Sequence, residues 1–149
     1  MSSNNRLLQI WIKRARRGPM DSRSQAQLIA GRGLVDNSDQ GGKRQVTIVS
    51  REAWETAQAD LGEGVDPVAR RANLLVSGVE LENSRGKVLQ IGEARILIHG
   101  ETRPCERMDE ACPGLRSALD PHWRAGAYGE VVLDAEIHIG DSVSWQSAE

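Results

Sequence analysis

The chain has 149 residues, of which 39% are hydrophobic and 27% charged, with a formal net charge of −2. That length fits one domain, residues 1–149, with a core that needs neither disulfides nor metal, and the composition excludes a disordered chain. No apolar run reaches the roughly 18–20 residues of a membrane-spanning helix, the first residues carry no signal-peptide apolar stretch, and the slightly acidic balance argues against general nucleic-acid binding; a cytoplasmic location is the default expectation.

Aromatic residues are scarce, with four Trp, one Tyr and no Phe, so Val, Ile, Leu and Ala must form the core. Residues 1–5 are expected to fray. From Arg6 to Lys13 the pattern alternates, with Leu8, Ile10 and Ile12 on one side, which reads as a strand. Lys13–Arg17 and Gly18-Pro19 break it. A second strand is expected over 25–30, ended by Gly31-Arg-Gly33. Residues 34–44 read as a loop containing Gly41-Gly42, and Gln45–Val49 as a strand.

Ser50 is placed to cap a helix over 51–61, with Glu52 in its first turn and Gly62 past its end. Ala53, Trp54, Ala57 and Leu61 share one face of it, so Trp54 is expected to pack on the sheet. Asp66-Pro67 is a cap followed by proline at the first helical position, which predicts a short helix to about Arg71. Strands follow at 73–76, 88–91 and 95–99, the last two joined at Gly92. Short helices are expected after Pro104 and over 113–119. Strands return at 128–133, 136–139 and 142–145. No helix alternates regularly with strands, and the later strands are closely spaced. The expected fold is therefore mostly β, a closed or nearly closed barrel of short, largely antiparallel strands with a few short helices.

Cys105 is the sharpest chemical candidate. It follows Pro104 at the start of a short helix, and Arg103 and Arg107 flank it. A helix start and two cations favour a thiolate over a thiol. A thiolate is what a metal ligand, a persulfide carrier or a nucleophile requires; the competing reading is a small buried cysteine. Cys112, seven residues on, sits near Asp109 and Glu110, which disfavour a thiolate. Packing is its stronger reading, and a resolving partner for Cys105 its weaker one. His99, His122 and His138 are far apart and show no metal-binding spacing, so they read as structural.

Arg outnumbers Lys sixteen to three, and Arg suits forked recognition of phosphate and carboxylate. Arg44, Arg70, Arg71, Arg95 and Arg103 are candidates to converge on an anion, although for any single one a solvated surface position is the simpler reading. No P-loop, dinucleotide-binding glycine motif or serine-nucleophile elbow occurs.

Five pieces stand in order: Arg44-Gln-Val-Thr47, then Arg71-Ala-Asn73-Leu-Leu-Val-Ser-Gly78-Val-Glu-Leu81, then Gly92 through Arg103-Pro104-Cys105, then Gly114–Leu119, and last Gly126-Ala-Tyr-Gly-Glu-Val-Val132 with Ile139-Gly140-Asp141. Together, over about 25–145, they resemble the MOSC domain, the C-terminal domain of molybdenum cofactor sulfurases, in its short stand-alone bacterial form. The resemblance implies a mostly β barrel and makes Cys105 the key cysteine, which in related domains carries sulfur as a persulfide or ligates molybdenum held by a pterin dithiolene. It implies that Arg71 and Asn73 help hold the anionic pterin, with Arg44 as a basic position before a strand and Arg103 beside the sulfur. Many relatives carry a Gly-Asp pair where this chain has Asp36-Asn37.

The large sulfurases also carry a pyridoxal-phosphate domain for which this chain has no room. That cofactor is expected, if at all, on a separate partner such as a cysteine desulfurase, with a molybdenum or metal–sulfur protein as acceptor. Two further readings stand beside sulfur or cofactor handling: a molybdenum-dependent reductase of N-hydroxylated compounds, and a non-catalytic binding module in which Cys105 is structural.

Overall fold

The computed structural model describes residues 5–146. The expected fraying at 1–5 lies outside these residues except for Asn5. The chain runs β1 (Leu7–Ile12), β2 (Asp21–Arg23), β3 (Gln25–Ile29), β4 (Gly33–Leu34), β5 (Val46–Ser50), α1 (Arg51–Leu61), a 3₁₀ turn (Pro67–Arg70) and β6 (Leu74–Val76). It continues through β7 (Val88–Ile91), β8 (Ala94–Glu101), α2 (Glu106–Ala111), α3 (Leu115–Leu119), a second 3₁₀ turn (Pro121–Trp123), β9 (Ala127–Leu133), β10 (Ala135–His138) and β11 (Val143–Trp145).

Eight strands form one sheet in the order β11-β7-β8-β9-β5-β6-β1-β2, and three form a second in the order β10-β3-β4. Every pair is antiparallel except β5 with β6. That parallel pair needs a crossover, and α1 supplies it. Ser50 accepts from the Ala53 N–H at the head of α1, and Gly62, at φ 80°, ends it.

The expected barrel is not closed. β2 takes the free edge of β1 from Ile10 to Ile12, so contact with the β11 end is confined to residues 5–7, where Arg6 bridges Ser142, the Leu7 N–H donates to the Asp141 carbonyl, and the Leu7 and Asn5 carbonyls accept from Gly140 and Val143. That short seam does not pair β1 with β11 as strands, and the main sheet ends in the edges of β2 and β11. It is nevertheless curled, because inward side chains from both ends enter one core: Ile10 and Ile12 of β1, Ile48, Leu74, Leu89, Ile96 and Val143.

The outer face of β1, β5 and β6 carries a second core beneath the helices. Trp11, Val49 and Leu75 meet Trp54, Ala57, Met108, Leu115 and Leu119 there. Trp54 is 1% exposed and donates its indole N–H to the Val65 carbonyl at 2.7 Å. Large aromatic area and a satisfied polar tip make it the pin between helix and sheet.

Strict alternation fails in β1. Its register with β6 shifts between Leu7 and Gln9, so Leu7 enters the inner core and Leu8 packs at the edge of the outer one. A bulge adds one residue and exchanges the faces of everything before it. The polar strand β2 and the two-residue strand β4 carry no alternation to announce them.

Candidate functional site

Thr102, 1% exposed, follows β8 and anchors the chain that leads to Cys105. Its N–H donates to the Gly126 carbonyl at 2.9 Å and its hydroxyl to the Ala125 carbonyl at 2.8 Å. Gly126, at φ 110°, lies so close to the Ile48 carbonyl that no side chain fits, which lets the 125–126 carbonyls approach this anchor. Pro104 is buried and Cys105 exposed. Cys105 is the extended N-cap residue of α2, and its side chain makes no capping hydrogen bond. The sulfur is thus delivered at a fixed backbone position and left uncommitted.

The same Ala125 carbonyl receives the Nε–H of Arg70 at 2.6 Å. Arg70 is only 6% exposed, and its Nη2 is buried without a hydrogen-bond partner. Burial pushes its pKa down from the ordinary guanidinium value to about 10, the positive field of Arg44 adds to the fall, and Cys105 opposes it. That drop corresponds to about 3 kcal/mol of resistance to the charged form. Arg70 remains charged at neutral pH all the same. It is a cation under strain, with one open donor, in electrostatic reach of an exposed thiol.

Arg44 is exposed and lies over the Tyr128 ring, 5.7 Å from its centroid, a cation–π contact. Arg71 takes the left-handed backbone at φ 61° and donates Nη2 to the Gly18 carbonyl at 2.6 Å. Partial burial lowers its pKa, and the positive field of Arg107 adds to that. Arg103 has its Nη2 3.7 Å from Asp120, and both side chains are exposed. Asn73 is buried and spends its whole side chain inside the protein. Its Oδ1 accepts from Thr47 N and Oγ1 at 3.1 and 3.2 Å, and its Nδ2 donates to the Trp11 carbonyl and Asn37 Oδ1, both at 3.1 Å.

Arg70 therefore lies within electrostatic reach of both Cys105 and Arg44, Arg71 is in reach of Arg107, and Asn73 has its side chain engaged inside the protein. The sequence marks both Arg70 and Arg71 as anion candidates, and the family resemblance selects Arg71. Asp66-Pro67 announces the 3₁₀ turn, but nothing local in the sequence tells which of the two arginines it buries.

Cys112 ends α2 at the opposite pole. It is buried, its sulfur faces Glu63 at 3.8 Å, and burial together with Glu63 and Asp109 pushes its pKa up. Seven residues of helical rise place it about 10 Å from Cys105, beyond the reach of a disulfide. His99, His122 and His138 pair with carboxylates: Glu130 at 2.7 Å, Glu82 at 2.9 Å, and Glu136 at 3.3 Å.

Among the described residues, no group of three or more His, Cys, Asp and Glu side chains is placed to hold a metal. A metal held through Cys105 would have that one thiolate as its protein ligand and would need to bring the others with it. One uncommitted thiol beside a buried guanidinium with a free N–H suits an anionic metal cofactor that carries its own sulfur ligands. By the same chemistry it suits a transferred sulfur. No helix among the described residues is long and apolar enough to cross a membrane.

The fold is shared with solved structures. The YuaD protein from Bacillus subtilis superposes with a TM-score of 0.79 at 20% identity, covering 97% of each chain. YiiM from Escherichia coli gives 0.70 at 16% identity, over 97% of this chain and 71% of that one. YiiM from Geobacillus stearothermophilus gives 0.70 at 13%, over 98% and 75%. None of the curated proteins matches the sequence. The MOSC domain profile matches residues 35–144, from the loop before β5 to β11, and the chain therefore belongs to the MOSC domain family.

Proposed function

We propose that Cys105 is the functional centre of the chain, a soft sulfur donor that carries transferred sulfur as a persulfide, and that Arg70 and Arg44 hold the anionic part of what reaches it. The observation that carries this reading is the buried Nη2 of Arg70 without a partner. An unsatisfied buried donor costs about 1–3 kcal/mol, and a bound anion removes that cost. In this reading Cys105 attacks a donor persulfide by thiol–disulfide-type exchange, and the outer sulfur passes to an acceptor metal centre. The donor is a separate pyridoxal-phosphate cysteine desulfurase, and the setting is cytoplasmic.

A second reading rests on the family: Cys105 ligates molybdenum of a pterin cofactor, while Arg70 and Arg44, with Arg71 and Arg107 at the flank, grip its anionic groups. When bound, that cofactor supplies two-electron redox chemistry suited to reducing N-hydroxylated compounds. The residues of this chain would then hold and orient it, and Asn73 would keep β1, β5 and the Asn37 loop in register behind it.

Two measurements on one preparation separate the readings. The sulfur-carrier reading predicts that the protein gains the mass of one sulfur from a cysteine desulfurase with cysteine, and that Cys105→Ala gains none. The cofactor reading predicts stoichiometric molybdenum in protein from a host that makes the cofactor, lost in Cys105→Ala. If wild type shows neither, or Cys105→Ala equals wild type in both, Cys105 is structural and the chain is a binding module.

A further inference from the structure

We propose, resting on the sulfur-carrier reading, that the Cys105 site accepts sulfur directly from small thiosulfonate anions, of which thiosulfate is the simplest, and that Arg70 and Arg44 bind the departing sulfite. Two independent features meet here. The sulfur of Cys105 is exposed and uncapped. Arg70, a residue only 6% exposed, is tied through the Ala125 carbonyl to Thr102, three residues before that sulfur, and its buried Nη2 has no hydrogen-bond partner. Arg44 adds a second cation that is open to solvent and braced on Tyr128.

A guanidinium fork recognises a compact oxyanion better than a lone thiolate leaving group, because it offers paired N–H donors to paired oxygens. In a thiosulfonate the electrophilic sulfane sulfur is one bond from the sulfonate, so the reactive atom and its anionic handle enter together. The step balances without an added oxidant or reductant. The Cys105 thiolate forms a bond to the sulfane sulfur, the sulfur–sulfur bond of thiosulfate breaks, and sulfite leaves with the electron pair. A persulfide anion remains on Cys105, and the total charge is unchanged. Negative charge grows on the sulfite oxygens as the bond breaks, and a preplaced donor with no competing partner is worth most at that moment. Cyanide would then discharge the persulfide as thiocyanate and regenerate the thiolate.

The test incubates the full chain with thiosulfate, and reads sulfite release and the mass of the protein. The expected result is one sulfur added at Cys105 for each sulfite released, with none in Cys105→Ala. Arg70→Gln should lower the rate with thiosulfate by about 100-fold, and Arg44→Gln, an exposed change that does not threaten folding, by roughly tenfold. Alkylation by neutral iodoacetamide serves as the control for the thiol itself and should change less than about threefold in both variants. An equal fall with both reagents would show that the arginines act on the thiol and not on the leaving group, and would overturn the assignment. If wild type takes sulfur from a desulfurase but none from thiosulfate, this proposal fails and the carrier reading stands. If it takes sulfur from neither, both fail.

Discussion

Asn73 and Arg70 stand three residues apart, on either side of one turn, and both are buried. Asn73 has each of its side-chain donors and acceptors paired within the protein. Arg70 has one N–H paired and another left open. The first arrangement joins two strands and a loop. The second tolerates a loss in the free protein that a ligand can recover. Saturated buried polar groups hold the fold, and the open Nη2 of Arg70 is the group that the proposed anion would satisfy.

The largest expected effect breaks the comparison on the chemical side. Cys105→Ala should abolish sulfur loading from a desulfurase, while Cys112→Ala should leave it within about twofold and cost only about 1 kcal/mol in stability. Intact-mass loading and urea unfolding check the two. In the folded protein, iodoacetamide should label Cys105 at least about 100-fold faster than Cys112, whose reaction waits for local opening; peptide mapping after a timed pulse reads the ratio.

Asn73→Ala should destabilise by about 3 kcal/mol, because it removes the partners of the Thr47 N–H and the Trp11 carbonyl together. Arg70→Met should do the reverse, leaving stability unchanged or raising it by about 1 kcal/mol. Thr102 still satisfies the Ala125 carbonyl in that variant. Equal losses in the two variants would erase the distinction between a saturated and an open polar group.

A smaller effect is set by pH. Burial pushes the Arg70 guanidinium down to about 10 in the folded chain, below the value it has when unfolded. Between these values the unfolded chain binds more protons, so Arg70 contributes increasing stability as pH rises through that window. The stability gap between Arg70→Met and wild type should therefore shrink from pH 9 to pH 12, while phosphate affinity of the wild type falls. Denaturant titrations of both proteins across that range measure it. A gap that widens would place Arg70 in a fully paired environment.

Local chemistry made much of this legible in the sequence. Ser50, Glu52 and Gly62 bound α1 because caps act within a few residues, and Asp66-Pro67 opens the 3₁₀ turn for the same reason. Cys105 at the head of α2 follows from Pro104. Long-range pairing was less visible. The bulge at Leu8 depends on how β6 meets β1, and the edge strand β2, made of Asp21-Ser-Arg23, exists because β1 has an unpaired edge. Whether the barrel closes is decided by that same polar strand. In the site, sequence marked the arginine pair at 70–71, and burial chose between its members. The family resemblance implies a ligand-binding role for Asn73, and its hydrogen bonds run to β1, β5 and the Asn37 loop. Arg103 adjoins Cys105 in sequence and faces Asp120 in space.

The most direct test of a shared Cys105–Arg70–Arg44 anion site compares alkylation of Cys105 by anionic iodoacetate with that by neutral iodoacetamide. The account predicts an iodoacetate-to-iodoacetamide rate ratio above that of free cysteine, falling about tenfold when Arg70→Gln and Arg44→Gln are combined. A ratio equal to that of free cysteine, and unmoved by the double substitution, would contradict it.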